Sequence, residues 1–482
     1  MGDVTDHVDV LIIGAGLSGI GAASHLASDL PDKTYAILER RDAIGGTWDL
    51  FTYPGIRSDS DMHTLGYRFR PWPEDKVLAD GPAIKQYVVE TAAHYGVTDK
   101  IRFGHHAMRC AWDSDQALWT VDYEVDGKPG QITCSFLWGC SGYYDYDRPY
   151  TPTFPGIDKY AGRVIHPQHW PDDLDYAGKT VVVIGSGATA ITLIPAMADE
   201  TESITMLQRT PSYVVSVPTD DPLGSTLRKV LPDRVAAGVT RWRNVLIQSG
   251  LYQMSRRRPG LVKRLIRNAQ VRQLPRDFEV DTHFAPPYNP WDQRLCVVPS
   301  GDLFRAIRHG KAKVATGHIE TFTKTGIRLT DGTELEADIV ITATGLNLLA
   351  FGGTSLTVDG EEVKLSEKIA YKGLMLDGVP NFAYVVGYAN ASWTLKADLV
   401  SEYVVRVLKK MDKHGDKVVM PVRDEEVSPA PLLDLSSGYV QRSLDKFPQQ
   451  GDRGPWKAPH NYLRDIVTIR HRKLDDSALQ FS

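Results

Sequence analysis

Residues 9–26 read DVLIIGAGLSGIGAASHL. The branched apolar run at residues 10–13 is typical of a buried parallel strand, and the residues from Ile20 onward favour a helix. Between them, Gly14, Gly16 and Gly19 have the spacing G-x-G-x-x-G. In a strand–turn–helix unit the first glycine permits a tight turn, the second lets a ligand approach the backbone, and the third lets the helix pack closely on the strand.

The predicted helix begins directly after this turn, so its unpaired N–H groups and partial positive charge suit a pyrophosphate. The next strand, in YAILER, ends at Glu39, 25 residues after Gly14. An acid at this place can bond a ribose 2′-hydroxyl. Residues 9–39 therefore predict a dinucleotide site, and a glycine turn used only for packing is the alternative.

A second unit of the same kind occupies residues 180–197, TVVVIGSGATAITLIPAM, where Gly185, Gly187 and Ala190 make G-x-G-x-x-A. The following strand, in ITMLQRT, ends in Arg209 and Thr210 instead of an acid. An arginine there suits the 2′-phosphate of NADPH, which a carboxylate would repel. A solvated charge at the strand end is the alternative. The residues predicted to hold NADPH are Gly185, Ser186, Gly187, Ala188, Thr189, Ala190, Arg209 and Thr210.

Two such turns, the first with an acid and the second with an arginine, suggest a flavoprotein reduced by NADPH. A third strand at residues 339–342, in ADIVITATGLN, runs into small residues that let the chain pass close to the cofactors. The order of these pieces predicts an α/β fold with two Rossmann-like dinucleotide-binding domains. The NADPH-binding domain is inserted into a split FAD-binding domain, and the chain returns to the latter after about residue 340.

The bulk composition excludes several classes of protein. The chain of 482 residues is 42% apolar and 24% charged, with a net charge of −5, which predicts several soluble domains and no nucleic-acid partner. No apolar run reaches 18 residues, and the first ten residues, MGDVTDHVDV, do not resemble a secretory signal, so we expect a cytoplasmic protein. The cysteines form no CxxC pair, which predicts neither a disulfide framework nor a metal site. They are Cys110, Cys134, Cys140 and Cys296.

A disulfide reductase would need a redox pair of cysteines beside the flavin. The nearest two, Cys134 and Cys140 in CSFLWGC, lie on an apolar stretch that a buried strand explains better. A monooxygenase, in which reduced flavin reacts with O₂, is the favoured alternative.

Residues 160–171, YAGRVIHPQHWP, resemble the F-x-G-x-x-x-H-x-x-x-W-P fingerprint of Baeyer–Villiger monooxygenases. Gly162, His166, Trp170 and Pro171 match, and Tyr160 stands in place of phenylalanine. Residues 45–59, GGTWDLFTYPGIRSD, are similar to a second signature of that family. Further runs, among them YNPWDQRLCVVPSGDLFRAIRHGK and NASWTLKADLVSE, look like its mycobacterial thioamide-activating branch, and the resemblance extends from about residue 8 to 470.

The resemblance implies an NADPH- and O₂-dependent FAD monooxygenase that converts small hydrophobic ketones into esters or lactones and oxidises sulfides or thioamides through a C4a-peroxyflavin. A monooxygenase that hydroxylates nitrogen or sulfur without ketone activity is the near alternative, and a redox-sensing flavin module is the distant one. The resemblance also implies a helical insertion. The expected segments are 1–148 and 341–482 for the FAD domain, 149–215 and 289–340 for the NADPH domain, and 216–288 for the insertion.

By resemblance, Arg294 in PWDQRLC is the cation that keeps the reacting oxygen anionic, and Asp59 is its partner. A structural ion pair for Arg294 and a simple acidic loop for Asp59 and Asp61 are the alternatives. Trp393 is a candidate for the substrate pocket, with core packing as the alternative, and Trp456 is a candidate for covering the nicotinamide. The residues implied to hold the cofactors in this part of the chain are Gly46, Thr47, Trp48, Asp49, Arg57, Ser58, Asp59, Asp61, Ala107 and Leu395, beside Gly14, Gly16, Gly19 and Glu39 of the first turn.

Two further hypotheses concern the fingerprint and a basic run. The segment of Gly162, His166 and Trp170 follows a proline-rich stretch that predicts an interdomain link. We expect His166 and Trp170 to latch the domain junction, with direct acid–base catalysis or a structural histidine as alternatives. Residues 255–276 carry eight Arg or Lys and no acid. A solvated helical face explains this run, and weak contact with an anionic membrane surface is the alternative.

Overall fold

The computed structural model describes residues 6–424, 426–432, 436–458 and 460–482. Strand Asp6–Ile13 lies inside a nine-stranded sheet, between the parallel strands Tyr35–Leu38 and Lys128–Gly139. Phe382–Tyr384 also pairs with Lys128–Gly139. Phe382–Tyr384 lies off the main path of the sheet. Along that path the eight strands follow one another in the spatial order Glu361–Glu362, Ser355–Val358, His106–Asp113, Leu118–Val125, Lys128–Gly139, Asp6–Ile13, Tyr35–Leu38 and Ile101–Arg102.

Helix Leu17–Asp29 follows the first glycine turn and is buried over residues 17–26. Its small residues let it pack closely between the sheet and the long helix Trp393–His414, which buries Leu399, Val400, Tyr403 and Val404. Helix Gly81–His94 completes this side of the first domain. The apolar stripes of these helices and the inner face of the sheet form one core.

The second sheet has five parallel strands. Strand Thr180–Ile184 precedes the second glycine turn and helix Ala188–Met197, so this domain repeats the strand–turn–helix unit of the first. The three-stranded antiparallel sheet Ile319–Phe322, Gly326–Leu329 and Glu334–Glu336 packs beside it. The five strands in spatial order are Ala312–Thr316, Ser203–Gln208, Thr180–Ile184, Ile339–Thr342 and Arg163–Ile165.

Four helices occupy most of the segment between strands Val214–Val217 and Cys296–Pro299, which pair in parallel. Helix Asp233–Arg257 packs on the short helix Met62–Leu65 of the first domain, whereas the next helix packs on strand Val214–Val217. The segment therefore contacts both domains. The four helices are Pro222–Val230, Asp233–Arg257, Pro259–Gln273 and Val280–Phe284. The five segment boundaries given above stay a prediction.

The chain crosses between the two domains twice, and the crossings pair with each other. Strand Tyr144–Pro149 leads out of the first domain and strand Leu346–Leu348 leads back, in antiparallel contact. Thr344 Oγ1 donates to the carbonyl oxygen of Tyr150 at 2.7 Å and ties the two crossings together. These paired crossings, called the double linker below, bring the two domains together at one junction.

The remaining elements are short. No helix in the described part of the chain is both long and apolar enough to cross a bilayer. The short helices are Thr47–Leu50, Met62–Leu65, Asp302–Arg308, Gly438–Gln441 and Tyr462–Asp465. The short strand pairs are Ala370–Tyr371 with Met375–Leu376, Val419–Pro421 with Leu479–Phe481, and Pro429–Pro431 with Gln449–Gly451.

Candidate active site

A cavity of about 1070 Å³ lies at the junction of the two domains. Both glycine turns line it, together with residues 56–60, the double linker and the segment around Arg294. The predicted site residues that line the cavity are Gly14, Gly16, Glu39, Gly46, Thr47, Trp48, Arg57, Ser58, Asp59, Ala107, Gly185, Ser186, Gly187, Ala188, Thr189, Arg209, Thr210, Arg294 and Trp393. The structure thus brings most of the sequence candidates to one place.

The first glycine turn is shaped by close backbone contacts. Gly14 has φ +102°, and a Cβ there would lie 2.8 Å from the carbonyl oxygen of Cys140. A Cβ at Gly19 would lie 1.8 Å from the carbonyl oxygen of Gly14, so only glycine lets the helix start against the strand end. Gly16 is the N-cap of helix Leu17–Asp29 and has no side chain to cap it. The first-turn N–H groups of that helix are left for an anion.

The second glycine turn repeats this arrangement. A Cβ at Gly185, which has φ +141°, would lie 2.3 Å from the carbonyl oxygen of Ala343. Gly187 is the uncapped N-cap of helix Ala188–Met197, and a Cβ there would meet nothing within 4 Å. Ala190 is buried behind the turn, as the third position requires. The open space over Gly187 and the free amides fit a dinucleotide pyrophosphate.

Glu39 ends its strand beside the first turn, buried but lining the cavity. Its Oε2 accepts from the N–H of Ala15 at 2.7 Å and its Oε1 accepts from the N–H of Arg41 at 2.8 Å. Burial raises the pKa of Glu39, although these amide hydrogen bonds oppose the shift. The carboxyl group therefore braces the glycine turn and keeps further lone pairs for a ligand hydroxyl.

Arg209, the corresponding residue of the second domain, follows strand Ser203–Gln208 and is exposed at the cavity. Among the described residues its guanidinium has neither a hydrogen bond nor an ion pair with the protein. Thr210 and Ser186 lie beside it, and Ser186 Oγ donates to the carbonyl oxygen of Thr210 at 3.1 Å. An unengaged guanidinium at this strand end fits the expected contact with a 2′-phosphate.

The loop after Gly45 brings only part of its predicted set to the cavity. Thr47 Oγ1 lies 3.2 Å from Tyr146 Oη, and Trp48 lines the cavity wall. Asp49 instead pairs with Arg41 at 2.5 Å and with Lys85 at 2.6 Å, and it does not line the cavity. In this structure Asp49 therefore forms ion pairs with Arg41 and Lys85 and has no contact with the cavity.

Residues 57–61 also divide between the cavity and other contacts. Arg57 makes an ion pair with Asp302 of the second domain at 2.5 Å. Asp59 faces the cavity. Asp61 is buried as the N-cap of helix Met62–Leu65, where it accepts from the N–H of Thr64 at 3.0 Å and from Asn244 Nδ2 at 2.9 Å. It does not line the cavity. Asp61 secures the docking of helix Asp233–Arg257.

Arg294 lies in the segment before strand Cys296–Pro299, and its guanidinium faces the cavity. Its Nε donates to the carbonyl oxygen of Ala389 at 3.1 Å and its Nη2 to that of Tyr388 at 3.3 Å. Its Nη1 lies 3.9 Å from Asp59 Oδ2. These contacts hold the third nitrogen towards the cavity and place Arg294 and Asp59 together.

The charge of Arg294 is secure. Burial would lower its pKa, but Tyr143, Tyr439 and Asp59 outweigh burial, so the pKa of Arg294 lies above its usual range. An arginine in this place is a permanent cation, whereas a lysine would lose its proton more readily.

Five tyrosines around the cavity were not found from the sequence. Burial raises the pKa of Tyr146 and of Tyr439 to about 12, so both keep their phenol protons as hydrogen-bond donors. Three of the five lie within the run GCSGYYDYD, directly after small residues, and this aromatic cluster was the available signal. The five are Tyr143, Tyr144, Tyr146, Tyr388 and Tyr439.

Helix Trp393–His414 begins at the cavity. Trp393 Nε1 donates to Ser18 Oγ at 2.7 Å, and its ring packs 5.1 Å from that of Tyr143. Ser392 is the N-cap residue, but its hydroxyl bonds Thr64 instead of the helix. Leu395 lies in the core and does not line the cavity. Trp456 is also buried outside the cavity, against Tyr371.

The fingerprint segment lies against the double linker. His166 Nδ1 accepts from the N–H of Gln168 at 3.1 Å, so Nε2 carries the proton that it shares with the carbonyl oxygen of Gly345 at 3.2 Å. Gln168 Nε2 donates to the carbonyl oxygens of Asp145 at 2.8 Å and Tyr146 at 2.9 Å. One crossing strand is therefore held by His166 and the other by Gln168, which the sequence reasoning missed.

The other fingerprint residues have packing roles. A Cβ at Gly162 would lie 2.3 Å from Tyr160 Oη, which donates to the carbonyl oxygen of Ala337 at 2.9 Å. Trp170 packs near Tyr176 in the second domain, with 6.5 Å between the rings. Burial lowers the pKa of His166, so its imidazole is neutral at physiological pH. Neither His166 nor Trp170 lines the cavity.

The four cysteines are buried as free thiols, and burial raises the pKa of each, that of Cys296 to about 12. Thiols of this kind do not support disulfide exchange. The described residues hold no group of three metal-ligating side chains.

Two strand–glycine turn–helix units that line one cavity are typical of flavoproteins that bind two dinucleotides. A family model for flavin-binding monooxygenase-like proteins matches residues 7–423, and the chain belongs to this family. It is 54% identical to the FAD-containing monooxygenase EthA of Mycobacterium tuberculosis, over 99% of this chain and 98% of that protein. The EthA of Mycolicibacterium smegmatis is 52% identical, with the same coverage.

Solved structures with the same fold include an oxidized steroid monooxygenase bound to NADP, with a TM-score of 0.78 and 20% identity over 98% of this chain and 99% of that one. Cyclohexanone monooxygenase with bound ε-caprolactone has a TM-score of 0.75 and 19% identity over 99% and 100%. These structures confirm the predicted α/β fold, and the family model and the EthA relatives confirm the prediction of a flavin-dependent monooxygenase similar to the mycobacterial enzymes.

Proposed function

We propose that this monooxygenase holds FAD at the first glycine turn and NADPH at the second, and uses O₂ to convert small hydrophobic ketones into esters or lactones. The uncapped helix starts at Gly16 and Gly187, the carboxyl group of Glu39 and the free guanidinium of Arg209 support this assignment of the two cofactors. When bound and reduced, FAD supplies the activation of O₂. The steroid monooxygenase of similar fold contains NADP.

The observation that supports the ketone reaction is the orientation of the Arg294 guanidinium, which two backbone carbonyls hold at the cavity. Attack at a carbonyl carbon places negative charge on the carbonyl oxygen, and a fixed cation beside that oxygen stabilises the charge. The carbonyls of Tyr388 and Ala389 hold two of its nitrogens, and Asp59 limits the movement of the third. The side chain is thus oriented before any substrate binds, which is the condition for such stabilisation.

Asp59 has a positioning role in this proposal. Its carboxylate is 3.9 Å from Arg294 Nη1, too far for a strong hydrogen bond but close enough to orient the charge. The apolar part of the cavity wall, which includes Trp393, Tyr143 and Leu349, suits a hydrophobic substrate. Sulfides and thioamides are second substrates of the same cavity in this proposal. A sulfur lone pair reacts without forming an alkoxide, so its oxidation needs Arg294 less.

The experiment compares Arg294→Ala and Arg294→Lys with the parent enzyme on an aryl ketone and on an aryl methyl sulfide. We expect Arg294→Ala to lower ester formation about 10²–10³-fold, the usual effect of removing a charge stabiliser. Sulfoxide formation falls less than tenfold, and Arg294→Lys lies between the two in ketone turnover. Arg109→Ala removes an exposed arginine outside the cavity and is the matched control.

The outcome is read by product chromatography and by the rate of flavin reduction with NADPH. Ester formed at the parent rate by Arg294→Ala contradicts the role of the cation. Sulfoxide without any ester from the parent enzyme instead favours an enzyme that oxidises nitrogen or sulfur alone.

A further inference from the structure

The exposed large apolar side chains of this protein are concentrated on one part of its surface. Eleven of the fifteen belong to three consecutive helices, Pro222–Val230, Asp233–Arg257 and Pro259–Gln273, and two more, Leu463 and Val467, lie next to Tyr462, which neighbours Trp242. The eleven, called the insertion face below, are Leu223, Val230, Val235, Val239, Trp242, Leu246, Ile247, Leu251, Leu261, Leu265 and Val271.

The long helix Asp233–Arg257 has its apolar stripe on the solvent side. Val235, Val239, Trp242 and Leu246 follow one another at spacings of four, three and four residues, so they share one face, and all are exposed by 45–56%. The opposite side carries the buried residues of the helix, of which Thr240, Arg241 and Ser255 are polar and Ala236 and Val245 apolar. A water-facing helix normally shows the reverse pattern.

The buried side of this helix is held by polar contacts. Arg241 Nη1 donates to the carbonyl oxygens of His63 at 3.1 Å and Gly66 at 2.6 Å, and its Nη2 lies 3.4 Å from Asp398 Oδ2. These bonds fix which side of the helix faces out. The apolar stripe is therefore a stable surface of the folded protein.

Basic residues surround the apolar stripe. Residues 222–276 contain thirteen Lys or Arg and one acid, whereas the rest of the chain has 42 Lys or Arg and 59 Asp or Glu. Several of these cations pair with acids, as Arg267 does with Asp281 at 2.7 Å. Eight have no ion pair within the described parts of the chain: Lys229, Arg234, Arg257, Arg258, Lys263, Arg264, Arg272 and Arg276.

We propose that the insertion face binds the surface of an anionic lipid membrane. Apolar side chains with a tryptophan among them, bordered by unpaired Arg and Lys, combine the two attractions that hold a protein in the interfacial region of a bilayer. Trp242 lies within the exposed apolar stripe, and indole rings favour the headgroup level of a bilayer. In this proposal the insertion face lies on the membrane surface.

The charge pattern favours a membrane over a second copy of this chain. Two insertion faces brought together would place eight unpaired cations of each copy close to those of the other, with Asp233 as the one acid that residues 222–276 of each copy contribute. An anionic lipid surface neutralises the same charges. The proposal is independent of the substrate of the enzyme.

The experiment measures binding of the whole, flavin-loaded protein to vesicles by flotation. Vesicles of phosphatidylglycerol and phosphatidylcholine in equal amounts are compared with vesicles of phosphatidylcholine alone, at 0.1 M and 0.5 M NaCl. We expect binding to the anionic vesicles at 0.1 M NaCl that is at least tenfold stronger than to the neutral ones and that weakens at high salt.

Two pairs of variants identify the surface. Leu246→Ser with Ile247→Ser removes apolar contact, with Met108→Ser, an exposed residue elsewhere, as control. Lys263→Glu with Arg264→Glu reverses charge, with the exposed pair Lys128→Glu and Lys159→Glu as control. Each test variant lowers the affinity at least tenfold, and the controls leave it within twofold.

Flavin content and melting temperature show that the variants fold. Equal binding by test and control variants, or no binding to either vesicle, overturns the proposal. So does a dimer in light scattering that Leu246→Ser with Ile247→Ser dissociates, since the face would then be covered by a second copy.

Discussion

Replacing His166 with alanine tests whether the fingerprint segment latches the domain junction. His166 holds the crossing strand at Gly345 through one hydrogen bond, and Gln168 holds the other crossing through two. Neither side chain touches the cavity. On the proposed function, both side chains stabilise the closed junction, which shields the reacting oxygen from water.

The expected sizes follow from the number of bonds. A neutral hydrogen bond in a protein contributes about 1 kcal/mol, and about 1.4 kcal/mol corresponds to a factor of ten. His166→Ala loses the one bond that this side chain makes across the junction and shifts the junction equilibrium about fivefold towards the open form. Gln168→Ala loses two bonds from a buried side chain, about 2 kcal/mol, and shifts it about 30-fold.

The assay measures hydrogen peroxide released per NADPH consumed, with saturating ketone. We expect the ratio of peroxide to ester to rise about fivefold in His166→Ala and more in Gln168→Ala, while NADPH reduces the flavin within twofold of the parent rate. Tyr160→Phe is the matched control, because it removes a bond to Ala337 in the same segment without touching the double linker. Unchanged coupling in both latch variants, or equal leakage in Tyr160→Phe, refutes the reasoning.

Three further predictions concern the cofactor turns and pH. Arg209→Ala raises the KM for NADPH at least tenfold and leaves that for NADH within twofold, as steady-state kinetics with both would show, because only NADPH has the 2′-phosphate; equal changes for both cofactors would contradict it. Gly19→Ala places a Cβ 1.8 Å from the Gly14 oxygen and lowers stability by about 1–3 kcal/mol or more, with loss of bound flavin, in thermal melts and absorbance spectra; a flavin-saturated, equally stable variant would show that the turn can shift. Burial lowers the pKa of His63, His166 and His283 below 6.5, so these histidines take up protons when the protein unfolds. Their contribution to stability is full above pH 6.5 and falls as the pH drops through the folded pKa values. Urea unfolding from pH 7.5 to 5.5 measures this dependence, and a flat profile would contradict it.

The spacing of glycines was enough to predict the two strand–turn–helix units because it depends on local backbone contacts. Gly14, Gly19 and Gly185 are fixed by atoms of their own strand–turn–helix unit or of the residue that follows the adjacent parallel strand. In both units a Cβ at the first glycine would meet the carbonyl oxygen of the residue after the adjacent parallel strand, so this part of the pattern transfers from sequence to structure. The strand-end residues Glu39 and Arg209 share this property, since strand ends of parallel sheets meet at one edge.

The loop acids could not be sorted in this way. Asp49, Asp59 and Asp61 share a polar loop, but distant neighbours decide where each points. Lys85 on another helix draws Asp49 away from the cavity, and Asn244 of the insertion holds Asp61. The contacts of Trp393 and Leu395 depend on the orientation of their helix, because positions two apart face different sides. Gln168 has no local signature at all.

The orientation of Arg294 depends on both domains. The carbonyls that orient it belong to the first domain, whereas its own chain continues into strand Cys296–Pro299, which lies in the core of the second. Its alignment thus needs contributions from two bodies at once. On the proposed function, attack on a carbonyl therefore requires the two domains to be docked, because only the docked arrangement brings together the two parts that align Arg294.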